Sequence, residues 1–265
     1  MIVFLISIIV ITILIIWFVL FFLFADFSYP NLDLTKFNKL LVLFPHPDDE
    51  ALTCSGLIQN FTHAGKKVVL YIFTMGERGN EGAKLDLNLK KIREKESKRV
   101  AQILGIAKHV MFDFGDGQLK AKREKLKTEV TRIIEEEKPD LIVTYDLSGI
   151  YGHPDHIVTT EIVKNIFVGA EHVQPLHKPK LLFVSYPPSF YRFVKLPTHM
   201  ADDKTVLQNR SVPTYKLFLG LKNINRIRAL YAYKSQLFGF KKSSPVLPLW
   251  FTLSARLFEY YYEMN

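Results

Sequence analysis

The chain has a single cysteine, Cys54, so no intrachain disulfide can form and nothing favours an oxidising compartment. No charged side chain precedes Asp26, and therefore the whole net charge of +9 belongs to the chain from Asp26 onward. Internal repeats are missing, and apart from the apolar start so is low-complexity sequence, which excludes solenoids and disordered tails. No nucleic-acid motif accompanies the basic balance. Its lysines and arginines are interspersed with acids, as in Lys90, Lys91, Arg93, Glu94, Lys95 and Glu96, the pattern of a solvated helix face. Charge then points to an anionic membrane surface or an acidic substrate, with no nucleic acid as partner.

What is present begins with residues 2–24, uncharged and, Ser7 and Thr12 aside, apolar throughout. At about 1.5 Å per helical residue they are long enough to cross a hydrocarbon core of about 30 Å. A cleaved signal peptide calls for basic residues before a shorter apolar core and small residues at a cut site, and neither is evident. The expectation is a single-pass anchor over residues 1–25 and a catalytic domain over 38–265. Lys36 and Lys39 close behind the span place that domain in the cytoplasm.

The remaining 240 or so residues suit one α/β domain. Overall, 48% of residues are hydrophobic and 23% charged, which fits a globular chain and not a multi-span membrane protein. Short β-rich runs at Lys39 to Phe44, Val68 to Phe73, His109 to Phe112, Leu141 to Tyr145 and Leu181 to Ser185 alternate with segments of helical period. The helices are predicted at Glu50 to Ala64, Leu87 to Leu104, Arg123 to Glu137, His156 to about Phe167 and Asn223 to Leu237. This alternation predicts a Rossmann-like, mostly parallel sheet flanked by helices, behind an N-terminal transmembrane helix. Proline and polar residues from Pro187 to Pro213 predict a loop or insertion near the site. The aromatic stretch from Leu247 to Tyr262 reads as an interfacial helix or as a terminal helix packed on the core.

Two polar clusters follow strands. Pro45-His46-Pro47-Asp48-Asp49-Glu50 comes directly after the first, and Tyr151-Gly152-His153-Pro154-Asp155-His156 after the fourth. Carboxyl ends of strands are where open α/β sheets bind ligands, so the clusters converge on one rim. Two histidines and one carboxylate would satisfy a catalytic zinc that keeps a position open for water, leaving an aspartate and a histidine as base and acid for an amide hydrolase. A lone His-Pro-Asp is common in turns; two after predicted strands are harder to explain that way. His63, His109, His172, His177 and His199 have no such company and read as surface or core residues.

With these two motifs the chain resembles the PIG-L/LmbE-like family of zinc-dependent N-deacetylases. The resemblance implies His46, Asp49 and His156 as ligands of a zinc or other divalent ion, and Asp48 as general base. It implies His153 as the protonated group at the oxyanion or leaving amine, with Asp155 holding that imidazole, and Tyr151 over the oxyanion. Thr74-Met75-Gly76-Glu77-Arg78-Gly79-Asn80 resembles the family's substrate loop, with Glu77 in it, and Arg93 with Glu96 resembles an Arg-x-x-Glu element near the sugar; a βα turn and an intrahelical ion pair are the plainer readings. The implied substrate carries N-acetylglucosamine. The anchor, the basic domain and the aromatic carboxyl end favour a lipid-linked one such as GlcNAc-phosphatidylinositol, and a soluble GlcNAc conjugate or non-catalytic sugar binding is the alternative.

Overall fold

A computed structural model of the chain describes residues 1–79, 88–169, 179–194, 196–242 and 247–264. Asn80, Leu87, His172 and His177 lie outside the described residues. The strands are β1 (Lys39–Phe44), β2 (Lys67–Ile72), β3 (Lys108–Met111), β4 (Leu141–Tyr145), β5 (Lys180–Ser185), β6 (Tyr215–Phe218) and β7 (Phe258–Met264). The helices are α1 (Ile2–Phe24), α2 (Asp49–Thr53), α3 (Ser55–His63), α4 (Leu89–Leu104), α5 (Arg123–Glu137), α6 (Gly149–Gly152), α7 (Pro154–Gly169), α8 (Phe190–Phe193), α9 (Lys222–Ala232), α10 (Leu237–Lys242) and α11 (Leu249–Ala255), with short 3-10 turns between them.

Leu40 through Phe44 are all fully buried, because β1 runs through the middle of the sheet with helices on both faces. Leu40, Val42 and Phe44 face α3, α4, α9 and α11, while Leu41 and Leu43 face α5 and α7. The strand order is β3-β2-β1-β4-β5-β7-β6, parallel from β3 through β5, with β7 antiparallel to both its neighbours. From β1 the chain builds outward through β2 on one side and, later, through β4 on the other. The crevice between the carboxyl ends of β1 and β4 is therefore the topological switch point.

Two expectations are corrected. The aromatic end is not one helix: after α11 it becomes β7, inserted between β5 and β6. A run of Tyr260, Tyr261 and Tyr262 suits a pleated surface, and Tyr261 and Tyr262 pack on opposite faces of the sheet. The predicted helix from Glu50 to Ala64 is broken at Cys54 into α2 and α3. Glu259 of β7 supplies the reason, since its carboxylate accepts from Gly56 N (2.7 Å) and Leu57 N (2.9 Å), satisfying amide groups at the start of α3. The segment between Pro187 and Pro213 holds α8 and two 3-10 turns, and β6 comes after it.

Glu137 ties three elements together. Its carboxylate meets Lys39 (2.6 Å), Lys108 (2.6 Å) and the Tyr71 hydroxyl (2.7 Å). Burial works to raise its pKa, but hydrogen bonds from Lys108, Lys39 and Tyr71 prevail and lower it from 4.5 to about 2. A depressed folded value contributes stability that is complete above the unfolded value and lost as pH falls through about 2. Glu137→Gln is expected to cost about 1.5–3 kcal/mol at neutral pH. Chemical denaturation of both proteins should show the gap closing between pH 4.5 and 2; a gap independent of pH would mean packing, not charge, is responsible.

Candidate metal centre

His46 comes just after β1 and His156 lies in the first turn of α7, across the switch point. Their facing atoms, His46 Nδ1 and His156 Nε2, are 3.2 Å apart. Asp49 completes a triangle, with Oδ2 3.7 Å from His46 Nδ1 and Oδ1 3.7 Å from His156 Nε2. A tetrahedral ion with ligands at about 2.0–2.1 Å needs ligand atoms roughly 3.3 Å apart; the two imidazole nitrogens have that spacing, while the 3.7 Å contacts of Asp49 come from its two different carboxylate oxygens.

Each donor is oriented by a second contact. His46 Nε2 lies 3.1 Å from Asp116 Oδ1 and 3.2 Å from Asp155 Oδ2, and His156 Nδ1 lies 3.2 Å from the Gly149 carbonyl. In both rings an acceptor faces the far nitrogen, which directs the lone pair of the near nitrogen to the common point. Asp49 accepts from the Tyr145 hydroxyl at Oδ1 (2.6 Å) and from His46 N at Oδ2 (2.9 Å). Two bare imidazole lone pairs at such a distance repel unless a cation or a proton lies between them. Burial works to lower the pKa of His46, yet hydrogen bonding to Asp116 and Asp155 holds it well above the usual value, so a proton can fill that role. His156 is held well below its usual value by burial and by the neighbouring imidazoles.

Two other donor groups share His46, one with His153 and His156, the other with Asp116 and Asp155. The second acts as support for His46. Asp155 is already anchored by Gly117 N (2.7 Å) and Leu119 N (3.1 Å), and Asp116 accepts from Arg78 N (2.9 Å). Gly149 lets α6 approach α7 this closely: its φ is +56°, and a Cβ there would sit 2.8 Å from the His156 Cβ.

Asp48 is buried beside this group, with φ +111° and ψ −24°, a conformation an aspartate holds only under constraint. Arg93 Nη2 donates to its Oδ2 (2.9 Å), and Glu50 Oε2 accepts from its backbone N–H (3.2 Å). Glu50 is fixed in turn by the Tyr233 hydroxyl (2.6 Å). Burial pushes Asp48 up to about 8; Arg93 opposes this, and Asp49 and Glu50 add to it. An aspartate balanced near neutrality is suited to exchanging protons.

His153 is half-buried, its ring centroid 4.7 Å from that of His46 and 4.8 Å from that of His156. Burial and then the charge on His46 lower its pKa to about 4, against Asp155 and Asp116, the opposite direction from the charged imidazole expected. The Asp155 carboxylate contacts His46, and only its backbone N–H reaches His153 Nδ1 (3.2 Å). Tyr151 stands edge-on to His153 and His156. Arg93 is 2% exposed and donates to Pro47 O, Gly76 O and Asp48, so it reaches the site through Asp48 and not from a sugar-facing surface. Glu96 accepts from Ser235 instead of pairing with Arg93. Glu77 Oε1 accepts from Asp116 N (3.1 Å). Sequence reading missed Asp116, Glu50 and Tyr145. Asp116 had a signal, an acid between glycines just after β3, at the same rim.

Residues 41–167 match the PIG-L family model, described as GlcNAc-PI de-N-acetylase. Over that segment the chain is similar to the PIG-L family. The diacetylchitobiose deacetylase of Thermococcus kodakarensis is 37% identical over 123 residues, covering 45% of this chain and 45% of the relative. A 1D-myo-inositol 2-acetamido-2-deoxy-alpha-D-glucopyranoside deacetylase of Rhodococcus jostii is 33% identical over 157 residues, covering 48% and 53%. The chain spans about half the length of these curated relatives. In three dimensions, N,N'-diacetylchitobiose deacetylase from Pyrococcus horikoshii superposes with a TM-score of 0.62 at 21% identity, covering 91% of this chain and 88% of that one, which shows a shared fold. Both sequence relatives are named for sugars without a lipid.

Proposed function

We propose that the chain is a metal-dependent N-deacetylase acting on an N-acetylglucosaminyl substrate, with zinc the metal expected from the His46, Asp49 and His156 donor set. The observation that carries this is the pairing of the two imidazoles, each oriented at its far nitrogen so that the near ones converge beside Asp49. The match to the PIG-L family model supports the same chemistry.

When bound, such an ion would polarise the acetyl carbonyl and acidify a water. Asp48 takes the water's proton, an uptake favoured by its elevated pKa, and then delivers it to the departing amine. His153, neutral, donates an N–H hydrogen bond to the developing oxyanion, with Tyr151 beside it. Asp155 and Asp116 keep His46 oriented, and Glu77 secures the Asp116 turn.

Burial raises the pKa of Asp48, and Arg93 restrains that rise. Arg93→Gln is expected to raise that pKa, because the guanidinium lowers it, and so to move the acidic limb of the kcat–pH profile upward. Breaking the buried pair should also cost about 3–5 kcal/mol of stability. An unmoved acidic limb would remove Asp48 from the base role or Arg93 from its control.

The substrate is a soluble GlcNAc conjugate in preference to a lipid-linked one. The names of the sequence relatives favour it. The aromatic carboxyl end no longer argues for lipid, since β7 is part of the sheet. α1 is long and apolar enough to cross a membrane, and we assign residues 1–25 as an anchor and 38–265 as the catalytic domain on the cytoplasmic side. Acetate release from diacetylchitobiose and from GlcNAc-phosphatidylinositol, measured side by side on zinc-loaded protein, tests the reading. Turnover of the lipid alone would reverse the preference, and turnover of neither would overturn the deacetylase.

A further inference from the structure

We infer that the catalytic domain is seated on the bilayer surface through α11 and the start of α9, and does not hang from α1 on a free tether. This rests on the reading of α1 as a membrane helix.

α1 is not independent of the domain at its carboxyl end. Trp17, Leu20, Phe21 and Phe24 are half-buried and, at helical spacing, form one stripe. Trp17 Nε1 donates to Ser254 Oγ on α11 (2.9 Å), and the Phe21 ring lies 6.3 Å from that of Phe258 at the start of β7. Just past the helix, Asp26 N donates to the Tyr260 hydroxyl (2.6 Å), so the connection is short and fixed.

Helix length then decides the depth. The part of α1 clear of these contacts, residues 2–16, rises about 22 Å, whereas a hydrocarbon core is about 30 Å thick. The docked turn must supply the rest, and whatever packs on it is drawn to the lipid boundary.

The surface at that level has the matching composition. Trp250 precedes Ser254 by four residues on α11, so it shares the face that meets α1, and it is 52% exposed. Asn223 Nδ2 donates to Leu253 O (2.9 Å), which sets the start of α9 alongside. There Leu221 and Ile224 are exposed, with the exposed cation Arg228 one turn further on the same face. Phe27 and Phe218, both exposed, join through Phe258, whose ring lies 5.5 and 5.3 Å from theirs. Arg256 lies over Phe24 (5.8 Å) and Phe190 (4.8 Å). Exposed aromatic and aliphatic side chains with arginines, continuous with an apolar helix, are the composition of a membrane interface. Such seating would hold the site at a fixed height above the lipid.

The chain has two tryptophans, Trp17 and Trp250, so fluorescence reads each contact separately. The full chain is reconstituted into phosphatidylcholine–phosphatidylglycerol vesicles, with or without lipids brominated near the headgroup. Trp250, observed in W17F, is expected to lose most of its emission to brominated lipid and become shielded from aqueous acrylamide. If Trp17, observed in W250F, is quenched while Trp250 stays open to acrylamide, the anchor stands and the seating fails. Trp250 shielded from acrylamide but unquenched by bromine would mean a protein covers the face, which also overturns the proposal. Quenching of neither overturns the anchor and the seating together. Should W17F not fold, an environment-sensitive dye on L221C reports the same contact, since Cys54 is buried.

Discussion

Asp48→Asn should lower the turnover of an N-acetylglucosaminyl substrate by about 10²–10⁴-fold, the range for losing a general base, while leaving metal content unchanged. Asparagine is close in shape and tolerates positive φ, so the +111° backbone conformation survives the change. Its amide oxygen still accepts from Arg93, but it cannot take a proton. kcat and metal content measured on the same preparation decide the matter. Full activity in the variant would transfer the base role elsewhere, with Glu50, pushed up to about 7 by burial, the next carboxylate in the motif.

Loss of a ligand should act differently. His156→Ala is expected to abolish both zinc binding and the rise in melting temperature that zinc gives the wild type, which amounts to about 4 kcal/mol when free zinc exceeds Kd a thousandfold. The variant must still melt cooperatively for the comparison to hold, because the Gly149 carbonyl loses its buried donor. A proton on His46 competes for the same space, and Asp116 and Asp155 strengthen its hold. Zinc affinity of the wild type should therefore weaken as pH falls, a trend isothermal titration at several pH values would register. Undiminished zinc binding by His156→Ala would move the metal to another donor set, such as His46 with Asp116 and Asp155.

The candidate metal donors were legible because they come in two short motifs, and both motifs sit directly after strands whose apolar runs are unmistakable. β1 and β4 are buried on both faces, so their sequences name themselves, and the polar residues after them can only lie at the sheet's rim. The supporting residues were less visible. Asp116 lies 70 residues from His46 in sequence and meets it only because β3 ends on the same rim. Tyr145 and Tyr233 look like ordinary core aromatics, and nothing local says that their hydroxyls aim at Asp49 and Glu50.

By itself, then, the sequence determined the βαβ order, the rim on which the two polar clusters stand, the candidate metal-donor residue types and the apolar helix at the start. Those are set by local period and by adjacency along the chain. Only the tertiary structure decided that Arg93 serves Asp48 and that Asp155 faces His46. It also decided that burial and the charge on His46 lower the pKa of His153, and that the aromatic end forms a strand of the sheet. Burial and long-range hydrogen bonding fix these, since a side chain's charge and direction depend on neighbours contributed from distant parts of the chain.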